Sequence, residues 1–524
     1  MALGPQPTLP LPALGGALAS ALLLTFAHPP FGFLPLPFLA LIPLVVGIGS
    51  LSSGPRGRWQ ATHLGIVFGL VFWGFALIWV PMVVGSFFSW ALPGYALLLV
   101  VLGGLSGVFG WATHFLHKGK SLPLALAVPL AWVGVEWIKA HFPFGLAFPW
   151  LGLGVTLSEW PQLLGLAEWT GEAGVAFWLA GVNGLGAAMI LRKNMGAGRN
   201  SPPRHRQWLL LGSAVILPVA LGLARAQTVS LLEGPRVVVV GTRIPPELRG
   251  TAAAMGEALA QVRDALGSMG PQPVDLVVLP EATVPFVLEE EEASGAREVL
   301  AALASAMDAP FVVGALGRVS SGSAEGALTN SAYLLVPHEA LTQRYDKARL
   351  VPGMETGSYR RGSERETLEA GGWIYGPLLC YESLFGGLAR EKGREGAQLL
   401  LNLSSDIWFG HEGSLLGSFF LHQHPAHLVL RAVENRISVA RAANGGFSFL
   451  LDPLGRVISE TVPPTGGRTE ARIPVFPGTT LFSRTGDWVG PSSALLCLVL
   501  LLAGRSSRTS KGFSGAGAAS EVDS

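Results

Sequence analysis

The sequence predicts an α-helical membrane bundle of about eight transmembrane helices joined to one α/β layered domain. Three observations carry that expectation. Half of the 524 residues are hydrophobic and only 14% are charged, against about a quarter in ordinary soluble chains. Apolar runs near the length of a bilayer crossing, about 20 residues, recur through the first half of the chain and once more near its end. Between them lies a segment whose apolar runs are short and alternate with helix-like stretches.

The long apolar runs fall near 9–27, 33–50, 64–84, 94–115, 122–139, 173–191, 207–225 and 488–504. The first lacks a basic n-region, so it reads as an uncleaved anchor and not as a signal peptide. Charges between the runs set the orientation. With the N-terminus inside, the inner connections and the tail hold Arg56, Arg58, Lys118, Lys120, Arg192, Lys193, Arg199, Arg204, Arg206, Arg505, Arg508 and Lys511. The outer connections at 28–32, 85–93 and 140–172 hold no Lys or Arg. This asymmetry is a positive-inside signal and puts the segment after 230 on the outer face. The expected domains are therefore a membrane domain of seven helices at 1–230, an outer domain at 231–487, a last span at 488–504 and a disordered tail at 505–524. Gly65, Gly69, Gly103 and Gly107 are spaced for close helix contact in lipid, although 68 glycines also produce such spacings by chance.

In the outer domain the runs at 236–240, 274–280, 310–316, 331–337, 376–380 and 397–403 read as strands buried on both faces. Stretches 251–267, 294–307 and 421–436 read as helices between them. Chemistry in layered α/β folds gathers where strands end. Glu281 follows "VDLVVLP", Cys380 closes "GPLLC", and Lys347 sits in "RYDKARLVPGMET" between them. A carboxylate can take a thiol proton, and a lysine can face the oxyanion formed on acyl attack. Each residue also has a structural reading: a lone cysteine is by default inert core, Glu281 could cap a helix, and Lys347 could be a solvated charge.

The net charge of +1 makes no electrostatic case for nucleic acid. Cys380 and Cys497 are the two cysteines, too few and too far apart for a disulfide framework or a zinc site. The cluster His422, His424 and His427 lacks a metal-binding spacing, and Pro425 is expected to interrupt the helix that would align the rings. It reads as exposed polar residues at the domain boundary, so neither a metal nor another cofactor is expected. Glu136, near the outer end of the fifth run, reads equally as part of a substrate cavity or as a carboxylate paired with Lys139.

Taken in order, "LPEATVP", "YDKARLVPGMET" and "LLCYES" resemble the Glu–Lys–Cys signature of the nitrilase superfamily. With "FPWLGLG", "SSDIWFG", "RAVENRISVARAANGGFSFLLDPLGRV", "FSRTGDW" and the membrane flanks, the whole chain resembles the apolipoprotein N-acyltransferase family. The resemblance implies a nitrilase-like αββα-sandwich on the periplasmic side of a bacterial cytoplasmic (inner) membrane. It implies transfer of the sn-1 acyl chain of a phospholipid to the α-amino group of a diacylglyceryl-apolipoprotein through a thioester. Glu281 would be the general base, Lys347 the oxyanion stabiliser and Cys380 the nucleophile, with Glu355, Tyr381 and Glu382 in support. The chain departs from the family pattern at "GTRIP" (241–245), "PGME" (352–355) and Ser405 of "SSDIWFG". Two other readings use the same residues: a membrane-tethered amidase with water as acceptor, and a non-catalytic polytopic scaffold or transporter.

Overall fold

The computed structural model describes residues 8–503, apart from residue 144 and short segments at 196–202, 268, 271, 321–323, 340–342, 411–412 and 414. Arg199 and the tail at 505–524 lie outside the described residues.

The apolar runs are helices: α1 (Leu11–Ala27), α2 (Ile42–Ser50), α3 (Pro55–Ala76), α4 (Ala91–His114), α5 (Leu124–Ala140), α6 (Ala167–Met195) and α7 (Arg204–Thr228). Four of the described helices, α3, α4, α6 and α7, are long and apolar enough to cross a membrane. The expected run at 33–50 is divided into a single 3-10 turn, Leu36–Phe38, and the nine-residue α2. Pro35, Pro37 and Pro43 each remove a backbone donor there. The run placed at 64–84 begins earlier and ends sooner, as α3, and passes into a π-helical turn at Val80–Val84 that contains Pro81. Hydropathy alone does not see the polar first turns of α3.

Close packing joins α3 to α4. A Cβ on Gly65 would come within 2.2 Å of the Ser106 carbonyl oxygen, and one on Gly107 within 2.7 Å of Ile66. Glycine is required at both places because the two backbones nearly touch. Helix α7 presents most of its apolar side chains outward and is tied back where Trp178 Nε1 donates to the Ala214 carbonyl at 2.7 Å.

The chain then enters two stacked sheets. One has the strand order β12-β1-β2-β4-β5-β6, with β3 beside β4; the other has the order β11-β10-β9-β8-β7. Their ranges are β1 Leu232–Gly241, β2 Leu276–Val278, β3 Val284–Val287, β4 Phe311–Arg318, β5 Leu328–Leu335 and β6 Gln343–Asp346. The second sheet takes β7 Leu368–Ala370, β8 Trp373–Leu379, β9 Leu399–Ser405, β10 Ser438–Asn444 and β11 Phe449–Leu451, and β12 is Gly467–Val475. Val237 and Val239 pack between the sheets with Leu401, Leu403 and Ala442. Val238 and Val240 face outward onto α8 (Ala252–Gly267) and α9 (Ser294–Met307). The second sheet is covered by α10 (Gly386–Arg394) and α11 (Phe419–Asn435). Helix, sheet, sheet, helix is the αββα order, and it explains why the strand runs are apolar without alternation. The described residues end with α12 (Val489–Ala503), which carries the buried, free Cys497.

The histidine cluster corrects an expectation. Helix α11 runs through Pro425 without a break, and His424 and His427 are buried inside it, not exposed. Burial of nearly the whole helix between the second sheet and the membrane bundle overrides the local cost of proline.

Candidate active site

Each of the three reactive residues follows a strand whose end points the same way. Parallel pairing of β1, β2 and β4 in one sheet and of β8, β9 and β10 in the other brings their C-terminal ends together. There the sheets touch, with Thr242 bridged to Asn444. Glu281 leaves the end of β2, Lys347 the end of β6 and Cys380 the end of β8.

Lys347 Nζ donates to Glu281 Oε1 at 3.0 Å and to Glu355 Oε1 at 2.9 Å. Asn330 Nδ2 bridges the same two oxygens at 2.8 and 2.9 Å. The second oxygen of Glu281 accepts from the Ser405 backbone N–H at 3.0 Å, and that of Glu355 from the Val351 N–H at 2.7 Å. Because a backbone group makes the Ser405 contact, the departure at that position leaves it intact. Gly314 of β4 runs directly beneath: a Cβ there would stand 2.5 Å from Glu281 Cα.

Burial alone would lower the Lys347 pKa, but the Glu281 and Glu355 carboxylates outweigh it and hold the ammonium well above its ordinary range. Burial and then the Glu281 charge push the Cys380 thiol up, against the pull of Lys347. A thiol held this way keeps its proton at neutral pH, so its sulfur could act as a nucleophile only with a base to take that proton.

Cys380 has φ +46°, a left-handed conformation that costs a non-glycine residue energy and recurs at functional sites. It opens a 3-10 turn, Cys380–Leu384, whose third residue is Glu382. Glu382 is fully buried. Its Oε2 accepts from the Leu379 N–H at 2.7 Å, and its Oε1 from Ala348 N–H, Arg349 N–H and Tyr345 Oη at 2.7, 3.0 and 2.8 Å. One carboxylate thus joins the residue before the thiol to the residues after Lys347. Burial pushes this carboxyl up, opposed by those backbone N–H groups.

Tyr381 turns the other way. Its hydroxyl donates to the Ala147 carbonyl at 2.8 Å and its ring meets Phe385 edge-on. Ala147 belongs to the connection carrying "FPWLGLG", so Tyr381 ties the Cys380 turn to the membrane bundle. Glu136 and Lys139 shape that connection. Glu136 Oε1 accepts from Leu153 N–H at 2.8 Å, while Lys139 donates to the Trp150 carbonyl at 2.6 Å and stands over the Trp73 ring. Both line a cavity of about 650 Å³ between bundle and sandwich.

The reactive groups open into a separate cavity of about 180 Å³ whose walls include Met354, Ile407, Trp408 and Phe409. Phe409 stacks on Phe420 at 4.7 Å and meets Trp79 at 6.0 Å, and Trp408 lies 6.4 Å from Phe88. A series of aromatic rings therefore leads from the cavity that holds the thiol to the connection between α3 and α4.

Sequence reasoning missed Asn330, Gly314 and a buried group formed by Asp406, His424 and Arg441 beside Cys380. Cys380 Sγ, an Asp406 oxygen and a His424 ring nitrogen lie within 4.8 Å of one another. Asp406 and His424 are already engaged with each other and with Arg441, which makes the trio a poor metal cradle. Burial would raise the Asp406 pKa, but Arg441 and His424 hold it below the usual carboxylate range.

Residues 20–185 match the family described as the apolipoprotein N-acyltransferase N-terminal domain, and residues 236–470 match the carbon-nitrogen hydrolase family. The chain is 28% identical over 500 residues to the "Apolipoprotein N-acyltransferase" of Geobacter metallireducens, covering 90% of this chain and 91% of that protein. It is 28% identical over 521 residues to the protein of the same name from Pseudomonas aeruginosa, covering 94% and 96%. Among solved structures, Saccharomyces cerevisiae Nit3, of the nitrilase superfamily, aligns with 47% of this chain and 92% of its own at 19% identity and a TM-score of 0.37.

Proposed function

Because this chain belongs to the apolipoprotein N-acyltransferase family, we propose that it moves the sn-1 acyl chain of a phospholipid to the α-amino group of a diacylglyceryl-cysteine lipoprotein, with Glu281, Lys347 and Cys380 as its catalytic residues. Glu281 takes the thiol proton as Sγ attacks the ester carbonyl. Lys347 faces the oxyanion, and collapse expels the lysophospholipid alkoxide, which recovers the proton from Glu281. The lipoprotein amine then attacks the thioester, gives its proton to Glu281, and Cys380 leaves as thiolate to be reprotonated. Glu355 and Asn330 hold Lys347 against Glu281, and Glu382 and Tyr381 position the turn that carries the thiol.

The observation that supports a lipid donor most directly is the series of aromatic rings leading from the Cys380 cavity to the membrane bundle. An acyl chain can lie along it and deliver its ester to a buried thiol, whereas a water-borne amide needs no such route. Purified protein given labelled phospholipid and a synthetic diacylated lipopeptide is expected to yield N-acylated peptide. Free fatty acid alone would instead assign an amidase, and no product would assign a non-catalytic scaffold.

In the same reading the bundle sits in the cytoplasmic membrane with both termini inside, and residues 231–487 form the periplasmic domain between the seventh and last spans. The Lys/Arg asymmetry of the connections supports it. An alkaline phosphatase fusion after Gly234 is expected to be active and one after Lys193 inactive; the reverse pattern would overturn the orientation.

A further inference from the structure

We infer that His424 is a positioning residue for the nucleophile: held by Asp406, it donates its Nε2–H to the backbone carbonyl of Cys380 and so fixes the left-handed turn from which the thiol is aimed. The inference rests on Cys380 being the nucleophile. His424 Nδ1 lies 3.1 Å from Asp406 Oδ1, and Nε2 lies 3.1 Å from both the Cys380 carbonyl oxygen and Ser383 Oγ. The Ser383 hydroxyl proton already goes to that carbonyl, at 3.0 Å. The carbonyl oxygen can only accept, so the contact is made with the proton on Nε2. Nδ1 lies between the Asp406 carboxylate and Arg441 Nη2, the latter at 3.5 Å.

The rest of the group holds the ring in place. Asp406 is kept ionised by the Arg441 guanidinium and takes the Ser404 hydroxyl at 2.6 Å. Arg441 is fixed by Asn402 and by the Phe447 carbonyl at 3.0 Å. Asp406, Arg441 and His424 are each at most 1% exposed. Phe420 covers the imidazole at 5.0 Å, and Trp150, from the bundle side, stacks beside it at 6.1 Å. The only strained backbone in the turn, φ +46° at Cys380, is thus the one whose carbonyl receives two buried side-chain donors. Strain of that kind persists when the surroundings over-determine it.

The test compares His424→Leu, His424→Asn and His424→Gln in the detergent-solubilised full chain, following acyl-enzyme formation from phospholipid alone. Gln places a donor near Nε2, whereas Asn can serve the Asp406 side but does not reach Cys380. Leu and Asn are expected to slow acyl transfer to the enzyme by about 10²-fold, the scale of a small misplacement of reacting atoms, with the half-saturating phospholipid concentration unchanged. Gln is expected to recover most of the rate. A His424→Leu enzyme at wild-type rate would overturn the inference, as would Asn and Gln variants of equal rate. If His424→Leu does not fold, the Asn and Gln pair decides. A wild-type adduct that maps away from Cys380 would overturn the nucleophile assignment itself, so the two failures are distinguishable.

Discussion

Lys347→Met is expected to lower turnover by about 10²–10³-fold, the usual effect of removing one oxyanion donor, while phospholipid binding stays nearly unchanged. The ammonium lies 3.0 Å from Glu281 and 2.9 Å from Glu355 and lines the same cavity as Cys380, where the proposed reaction would develop negative charge. Methionine keeps the length and apolar stem but leaves two buried carboxylates bridged by Asn330 alone. Breaking a buried ion pair from one side typically costs about 3–5 kcal/mol, so the variant should also unfold at lower denaturant. Steady-state kinetics separate the two effects: kcat falls and the half-saturating lipid concentration does not. Turnover near wild type in a folded Lys347→Met protein would remove the oxyanion role.

The second large effect is expected at a residue that need not touch substrate. Glu382→Ala strands the buried N–H groups of Leu379 and Ala348, the buried hydroxyl of Tyr345 and the half-buried N–H of Arg349. A buried donor left without a partner costs about 1–3 kcal/mol, so the loss should far exceed the ~1 kcal/mol of an average substitution. Because those groups flank both Cys380 and Lys347, activity should collapse with stability. Thermal unfolding in detergent, measured beside turnover, checks this. A Glu382→Ala protein that melts like wild type and turns over normally would show that the carboxylate does not hold the two catalytic loops.

The strands that could be read from sequence are those buried on both faces, such as "RVVVV" and "AQLLLNL", because three or four consecutive apolar residues mark them. Strand β10 was not legible for the opposite reason. It reads "SVARAAN", yet Arg441 is wholly buried, its charge matched by Asp406 from a loop 35 residues away. Short β6, β7 and β11 carry too few residues to show a period. The site divides in the same way. Glu281, Lys347 and Cys380 stand at strand ends in motifs that resemble a known family, so the sequence marks them. Asn330 lies inside β5, 49 residues from Glu281, and only the sheet order brings them together. His424 was masked by Pro425, which local reasoning treats as a helix breaker, and its partners are backbone and side-chain oxygens with no sequence signature.

Whether Cys380 carries the acyl group decides between the thioester route and any other. Incubating the purified enzyme with phospholipid alone, then measuring intact mass and mapping the modified peptide, tests it most directly. The expected result is an adduct heavier by one acyl chain on Cys380, released by neutral hydroxylamine, absent from Cys380→Ala and retained in Cys497→Ala. Cys497 lies buried in α12, so its loss should not matter. An adduct on another residue, or full turnover by Cys380→Ala, would contradict the thioester route and the assignment of the site.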